Sequence, residues 1–129
     1  MARYDPERDS PDVVLEFEHD DSAARQARRA LAPVIETDAF ADDVNLVATE
    51  LVSNVVRHTD DGGRMEAWDG DPFRVEMHDS SPVLPQTAPA TTKGGRGLRI
   101  VDALSSNWGS EPLPDGKVVW AELERPERL

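Results

Sequence analysis

Apolar residues recur along the chain at two different spacings, one typical of β-strands and one typical of helices. Val13, Leu15 and Phe17 alternate with polar neighbours, a spacing that places them on one face of a β-strand. Similar short segments, bounded by turn-forming Gly, Pro and Asp residues, recur four more times. The five predicted strands cover residues 13–18, 65–69, 73–78, 108–111 and 119–123.

Apolar residues at helical spacing predict three helices. The first is built on alanines and can end or kink at Pro33. The second has the clearest pattern: Asp42 and Asp43 lie in its first turn, where negative charge suits the helix dipole, and it extends to about His58. The third follows Gly95-Arg96-Gly97.

The predicted order of elements is β-α-α-β-β-loop-α-β-β, which decides the fold class. Strands joined by short turns favour antiparallel pairing, and three helices must cover one face of the sheet. We therefore expect an α+β two-layer sandwich with a mixed, mostly antiparallel sheet. Residues 1–11 are predicted to be a flexible N-terminal arm, residues 12–124 a single domain, and residues 125–129 a frayed end.

Length and composition exclude several classes of protein. A chain of 129 residues suits one domain, and the lack of cysteine excludes disulfide and thiol chemistry. No apolar run approaches the ~20 residues that span a bilayer, and the first residues contain no signal sequence. We expect a cytoplasmic protein without membrane contact.

The formal charge of −12 restricts the partners of the protein. Such a field repels nucleic acid and attracts basic proteins. An anionic ligand would need local devices, such as backbone N–H groups, a metal ion or one or two cations.

The second predicted helix carries the first group of candidate functional residues. Glu50, Asn54 and His58 follow one another at intervals of four, so they share a face, and Arg57 lies beside them. Such a polar line is often only the solvated side of a helix. Asn54 is unusual because Asn is a poor helix former, whereas its amide oxygen can ligate a hard cation.

Two loop segments carry the other candidates. Asp79 ends a predicted strand, where an Asp either forms a turn with its own backbone or accepts a hydrogen bond from a ligand amine. Gly94-Gly95-Arg96-Gly97 precedes the third helix, and Lys93 adds charge. Glycines there are either a hinge or a means for backbone N–H groups to approach a phosphate.

The three groups together resemble a known family. Residues 50–58 resemble the N box of the GHKL (Bergerat-fold) ATPase superfamily, Asp79-Ser80-Ser81-Pro82 falls at its G1 box, and Gly95-Arg96-Gly97-Leu98 resembles its G2 box. Residues 116–123 resemble the last strand of its small single-domain members, which are bacterial anti-sigma-factor serine kinases and related stand-alone ATP-binding regulators. The resemblance covers about residues 12–124.

The resemblance implies a role for each matching residue. Asn54 would bind Mg²⁺ at the ATP phosphates, Glu50 would be the general base, and Asp79 would accept a hydrogen bond from the adenine amino group. Backbone N–H groups of the glycine turn would approach the phosphates, with Arg96 or Lys93 offsetting their charge. The residues implied to contact ATP are Asn54, Arg57, His58, Asp79, Ser81, Lys93, Gly95, Arg96, Gly97 and Leu98.

The function implied by the resemblance is regulatory. The protein would transfer the ATP γ-phosphate to a serine of a STAS-type anti-sigma-factor antagonist, sequester a sigma factor, or do both, and it could form a homodimer. Ser81 and Val83 replace glycines of the G1 box, and the lid segment 82–94 is short. These departures favour the alternative of a nucleotide-binding or docking module with little catalysis. A detached ATPase domain of a histidine kinase is a third possibility.

Other residues are expected to have structural roles. We expect His78 to be exposed, and three scattered histidines do not indicate a zinc site. The three tryptophans are expected to pack against the sheet. Arg25, Arg28 and Arg29 form either a solvated helix face or a contact for an acidic partner.

Overall fold

The computed structural model describes residues 4–36, 38–81 and 95–126, which form a five-stranded sheet and three helices. The elements in chain order are β1 (Val13–Phe17), α1 (Ala23–Leu31), α2 (Ala39–His58), β2 (Gly63–Trp68), β3 (Phe73–Asp79), α3 (Gly95–Leu104), β4 (Asn107–Leu113) and β5 (Gly116–Leu123).

The sheet has the strand order β1-β2-β3-β5-β4, and its four pairings are all antiparallel. The predicted α+β two-layer sandwich is confirmed. The sheet is not mixed within the described strands, because all four pairings are antiparallel. Short turns join β2 to β3 and β4 to β5, whereas α1 and α2 connect β1 to β2, and β5 returns beside β3 after α3 and β4.

The strands alternate as their sequences predict, so the sheet has two different faces. On the face toward the helices, Met65, Val75 and Met77 are buried in the apolar core. On the outer face the same strands carry charged residues such as Glu66 and Glu76. The core therefore lies between the sheet and the helices.

Two strands begin earlier than their apolar pattern indicates. β2 starts at Gly63, which pairs with Phe17 on one side and Asp79 on the other, and β5 starts at Gly116. Glycine contributes nothing to a hydrophobic period, so pairing with neighbouring strands sets these boundaries. α1 ends at Leu31, two residues before Pro33, consistent with the predicted stop.

α2 forms the centre of the helical layer. The side chain of Asp38 caps it by accepting a hydrogen bond from the Ala41 N–H at 2.9 Å, and Asp42 lies in the first turn. Its buried residues are Ala41, Val44, Val47, Ala48, Leu51, Val52 and Val55. Neither α2 nor any other helix in the described part of the chain is long and apolar enough to cross a membrane.

The N-terminal segment from residue 4 runs over the outer face of the sheet. The Tyr4 ring lies edge-on to His78, and the Arg8 guanidinium lies 5.7 Å from the centre of a Trp68 ring. The Trp68 indole N–H donates to the Asp9 carbonyl at 2.7 Å. The flexibility predicted for residues 1–11 and the fraying of residues 125–129 stay predictions.

Candidate nucleotide site

Glu50 and Asn54 lie on the flank of α2 that turns away from α1. Thr49 marks the opposite flank, because its hydroxyl accepts a hydrogen bond from Arg28 of α1 at 3.2 Å. At about 100° per residue, Glu50 and Asn54 lie roughly 100° and 140° around the helix from Thr49. α3 is the other helix that packs on α2, so the two side chains lie on its side.

The surroundings of Glu50 and Asn54 suit a ligand site. Both residues are half-buried, and neither has a hydrogen-bond or ion-pair partner among the described residues. One helical turn separates them, about 6 Å along the axis. A carboxylate and an amide oxygen held at this spacing on a rigid helix can serve a hard cation and a proton transfer.

Arg57 and His58 are placed differently from Glu50 and Asn54. Both are exposed, and His58 is the last residue of α2. Arg57 lines a cleft of about 230 Å³ between the start of α1 and α2, together with Asp20 and Asp21. The predicted contact of Arg57 with ATP stays a prediction.

Asp79 is the last residue of β3, and its side chain is only 1% exposed. Its Oδ1 atom accepts hydrogen bonds from the Lys117 ammonium at 2.9 Å and from the Ser81 backbone N–H at 2.8 Å. The bond to Ser81 is the turn-forming role considered above for an Asp at a strand end. The bond to Lys117 is an ion pair that the sequence analysis did not predict.

Lys117 was missed although the pattern contained a signal for it. In β5, Val119, Ala121 and Leu123 are buried at period two, and one further step back reaches Lys117. Its side chain is 4% exposed, and the strand register pairs it directly with Asp79. A lysine on the core side of a strand indicates a buried acidic partner.

The backbone around this ion pair is tightly packed. Gly116 has a φ of +156°, and a Cβ atom there would lie 1.9 Å from the Asp79 carbonyl oxygen. Only glycine permits this approach of β5 to the end of β3. A cleft of about 1020 Å³ at this end of the sheet is lined by Asp79 and Lys117 but also by the outer-face residues Arg64 and His78, and none of its described lining residues comes from α2 or α3.

The third motif lies at the start of α3, which begins at Gly95. Gly95, Arg96 and Gly97 therefore form the first turn, whose backbone N–H groups lack intrahelical acceptors. Leu98 is 4% exposed and buried under the helix. Lys93 lies outside the described residues.

The elements that carry the three motifs contact one another. α2 packs against both β3 and α3, so the helix with Glu50 and Asn54 adjoins the strand that ends at Asp79. Segments far apart in the sequence are thereby gathered on the helix side of the sheet. The contact of individual side chains with ATP stays a prediction.

A second charged group lies on the outer face of the sheet. His78 Nε2 is 3.1 Å from Glu76 Oε1 and 3.4 Å from Glu66 Oε1. The other carboxylate oxygens face Arg74 at 2.8 Å and Arg64 at 3.6 Å. The prediction that His78 is exposed is wrong, because its side chain is only 12% exposed beneath Tyr4.

The electrostatics of this group are dominated by Glu76. Burial raises the pKa of the Glu76 carboxyl, but hydrogen bonds from His78 and Arg74 outweigh burial and hold the pKa below its ordinary value. The ligand atoms of Glu66, Glu76 and His78 lie within 4.8 Å of one another, a spacing that could hold a metal ion. Each carboxylate is already paired with an arginine, so we interpret the group as an ion-pair network and not as a metal site.

The fold and the gathered motifs define a class of protein. Three helices cover one face of an antiparallel sheet, and the motifs lie on α2, at the end of β3 and at the start of α3. This is the arrangement of a GHKL-type ATPase domain. The family model of the histidine kinase-like ATPase domain matches residues 16–123, and the chain belongs to this family. It is a histidine kinase-like ATP-binding domain. A search of curated proteins finds no match.

Proposed function

We propose that the protein binds Mg·ATP between α2, the end of β3 and the start of α3, and uses it as a protein serine/threonine kinase. The observation that carries the proposal is the flank of α2 with Glu50 and Asn54, half-buried beside α3 and without partners among the described residues. Their oxygen atoms are therefore not engaged by other described residues and can accept a cation or a proton.

Each residue has a defined task in the proposed site. The Asn54 amide oxygen would hold Mg²⁺, and Asp79 would accept a hydrogen bond from the adenine amino group. The N–H groups of the first turn of α3 would receive the phosphates, since a helix N-terminus favours anions. When bound, Mg²⁺ neutralises charge on the phosphates and holds them in place.

Glu50 is the proposed general base. Its carboxylate would accept the proton of a serine hydroxyl while the serine oxygen forms a bond to the γ-phosphorus. The bond from that phosphorus to the β–γ bridging oxygen breaks, and ADP leaves. Phosphoryl transfer needs mainly positioning and charge stabilisation, which a base on a rigid helix can provide.

The proposed partners follow from the resemblance and agree with the charge of the chain. The phosphate acceptor would be a STAS-type antagonist, and a sigma factor would be held in the alternative complex. The charge of −12 steers basic protein surfaces toward the molecule and disfavours nucleic acid. A cytoplasmic location and a homodimer belong to the same proposal.

The test of the kinase is label transfer from ATP to a STAS-type antagonist encoded in the same genome. We expect Glu50→Gln to lower the transfer rate by about 10²–10⁴-fold, the usual contribution of a general base, with ATP affinity retained. Asp43→Asn, an exposed change in the same helix, is the matched control and should transfer at the wild-type rate. Equal rates for Glu50→Gln and wild type would exclude Glu50 as the base.

A binding module without catalysis is the second candidate. It is favoured by the environment of Asp79, whose carboxylate is already bonded to Lys117 and to the Ser81 N–H. Calorimetry with Mg·ATP distinguishes the two functions. Binding with no turnover, unaffected by Glu50→Gln, would support the module over the kinase.

A further inference from the structure

The ion pair between Asp79 and Lys117 lies where the proposed site needs a free acceptor. Both interactions of the Asp79 carboxylate described above end on the same oxygen, Oδ1. A carbonyl-type oxygen has two lone pairs, so this atom has no further capacity for a strong hydrogen bond. A ligand amine would have to use Oδ2 or displace one of the two donors.

The pair is held firmly in place by the sheet. Asp79 and Lys117 are direct partners in the antiparallel register, and their side chains are 1% and 4% exposed. Away from water the attraction between the two charges is weakly screened. The hydrogen bond from the Lys117 ammonium joins two charged groups and is therefore stronger than one from an uncharged ligand amine, which has to compete with it.

We propose that Lys117 is a specificity-determining residue that competes with the nucleotide base for Asp79 and weakens adenine binding. This inference rests on the proposed function, because it assumes that the base binds at Asp79. In this arrangement Lys117 sets the affinity of the site, and its ammonium must move aside before Asp79 can bind an amine fully.

The direct test compares Lys117→Met with wild type in calorimetric titrations. Adenosine and Mg·ATP are the two probes, because adenosine reports on the base pocket without the phosphates. We expect Lys117→Met to bind both probes about tenfold more tightly, the gain of one stronger hydrogen bond. Lys117→Arg, which keeps the charge, should bind like wild type.

The matched control is Arg99→Met, which removes one positive charge from an exposed position of α3. It should leave adenosine affinity unchanged, so a gain confined to Lys117→Met cannot be a general effect of charge. Circular dichroism and thermal unfolding verify that each variant is folded. If Lys117→Met does not fold, Lys117→Gln keeps a polar side chain of similar length and is titrated in its place.

Two results would overturn the inference while leaving the proposed function standing. Weaker Mg·ATP binding with unchanged adenosine binding would make Lys117 a phosphate contact. Equal affinities for wild type and variant, with binding abolished in Asp79→Ala, would make the ion pair purely structural. Failure of the proposed function has a different signature, in which neither probe binds to wild type or to any variant.

Discussion

Two carboxylates of β3, three residues apart, lie on opposite faces of the sheet. Asp79 points to the helix side and pairs with Lys117, whereas Glu76 points to the outer face and pairs with Arg74 and His78. Both carboxylates are almost completely shielded from solvent and both are ion-paired. Removing one partner of such a pair leaves an uncompensated charge, so each pair acts strongly on stability.

The Glu76 network makes the stability of the protein depend on pH. Because the pKa of Glu76 is lower in the folded than in the unfolded chain, its contribution is complete above the unfolded value and is lost as the pH falls through the folded value. We expect Glu76→Gln to lower the free energy of unfolding by about 3 kcal/mol at pH 7. The gap from wild type should narrow as the pH falls from 5 to 3.

Urea unfolding at pH 7, 5, 4 and 3 measures this gap. Glu18→Gln is the control, because Glu18 is exposed and its loss should change stability by less than about 0.5 kcal/mol at every pH. A gap between wild type and Glu76→Gln that stays constant down to pH 3 would contradict the role of Glu76.

Single residues were predicted only where a local pattern defines them. Glu50 and Asn54 were found because helical spacing places them on one face, and the strand end at Asp79 followed from the alternation in β3. The ion pair of Asp79 with Lys117 depends on the register between β3 and β5, which are separated in sequence by a helix and a strand. The burial of His78 depends on Tyr4, which lies in a segment with no periodic pattern.

At the level of elements, most of the fold could be predicted from the sequence. The signals used were local: the apolar periods of strands and helices, the acidic residues at the start of α2 and the turn residues. They were enough to predict the order of elements and the α+β two-layer sandwich. The extra length of β2 and β5 could not be predicted from the apolar period, because Gly63 and Gly116 join their strands through pairing; for β5 only the family resemblance of residues 116–123 indicated it. The site depends on this extension, since β5 reaches Asp79 only through it.

Gly116 is the position where the geometry of an element sets the geometry of the site. Because an added Cβ would lie 1.9 Å from the Asp79 carbonyl oxygen, Gly116→Ala must push the start of β5 away from β3. We expect a loss of more than about 1 kcal/mol in the free energy of unfolding, beyond the usual range for a compatible Gly→Ala change. Chemical denaturation measures this loss.

The matched control for this change is Gly70→Ala. The Cβ at Gly70 would come no closer than 3.4 Å to a neighbouring atom, which is ordinary contact, so stability should change by less than about 1 kcal/mol. If the two alanine variants are equally stable, the close approach of β5 to Asp79 is not a constraint on the fold.

The two faces of the sheet carry different groups of charged residues. The helix side of the sheet holds the candidate nucleotide site, and the outer side holds the ion-pair network beneath Tyr4 and Arg8. Because side chains alternate along β3, one strand supports both faces, and a shift in its register would disturb them together. The ion pairs of Asp79 and Glu76 hold this shared strand from both faces.

The net charge of −12 acts on the molecule as a whole. Like charges repel one another more in the compact state than in the expanded unfolded chain, which lowers stability. Raising the ionic strength from about 0.01 M to 0.15 M shortens the Debye length from about 30 Å to 8 Å and screens this repulsion. The shielded pairs of Asp79 and Glu76 are screened much less.

We therefore expect the free energy of unfolding, measured in urea, to rise with KCl over this range. A variant with Glu18→Lys and Asp43→Lys, both at exposed positions, should show a smaller rise because its net charge is less negative. A fall in stability with added KCl would mean that attractive surface pairs outweigh the net repulsion.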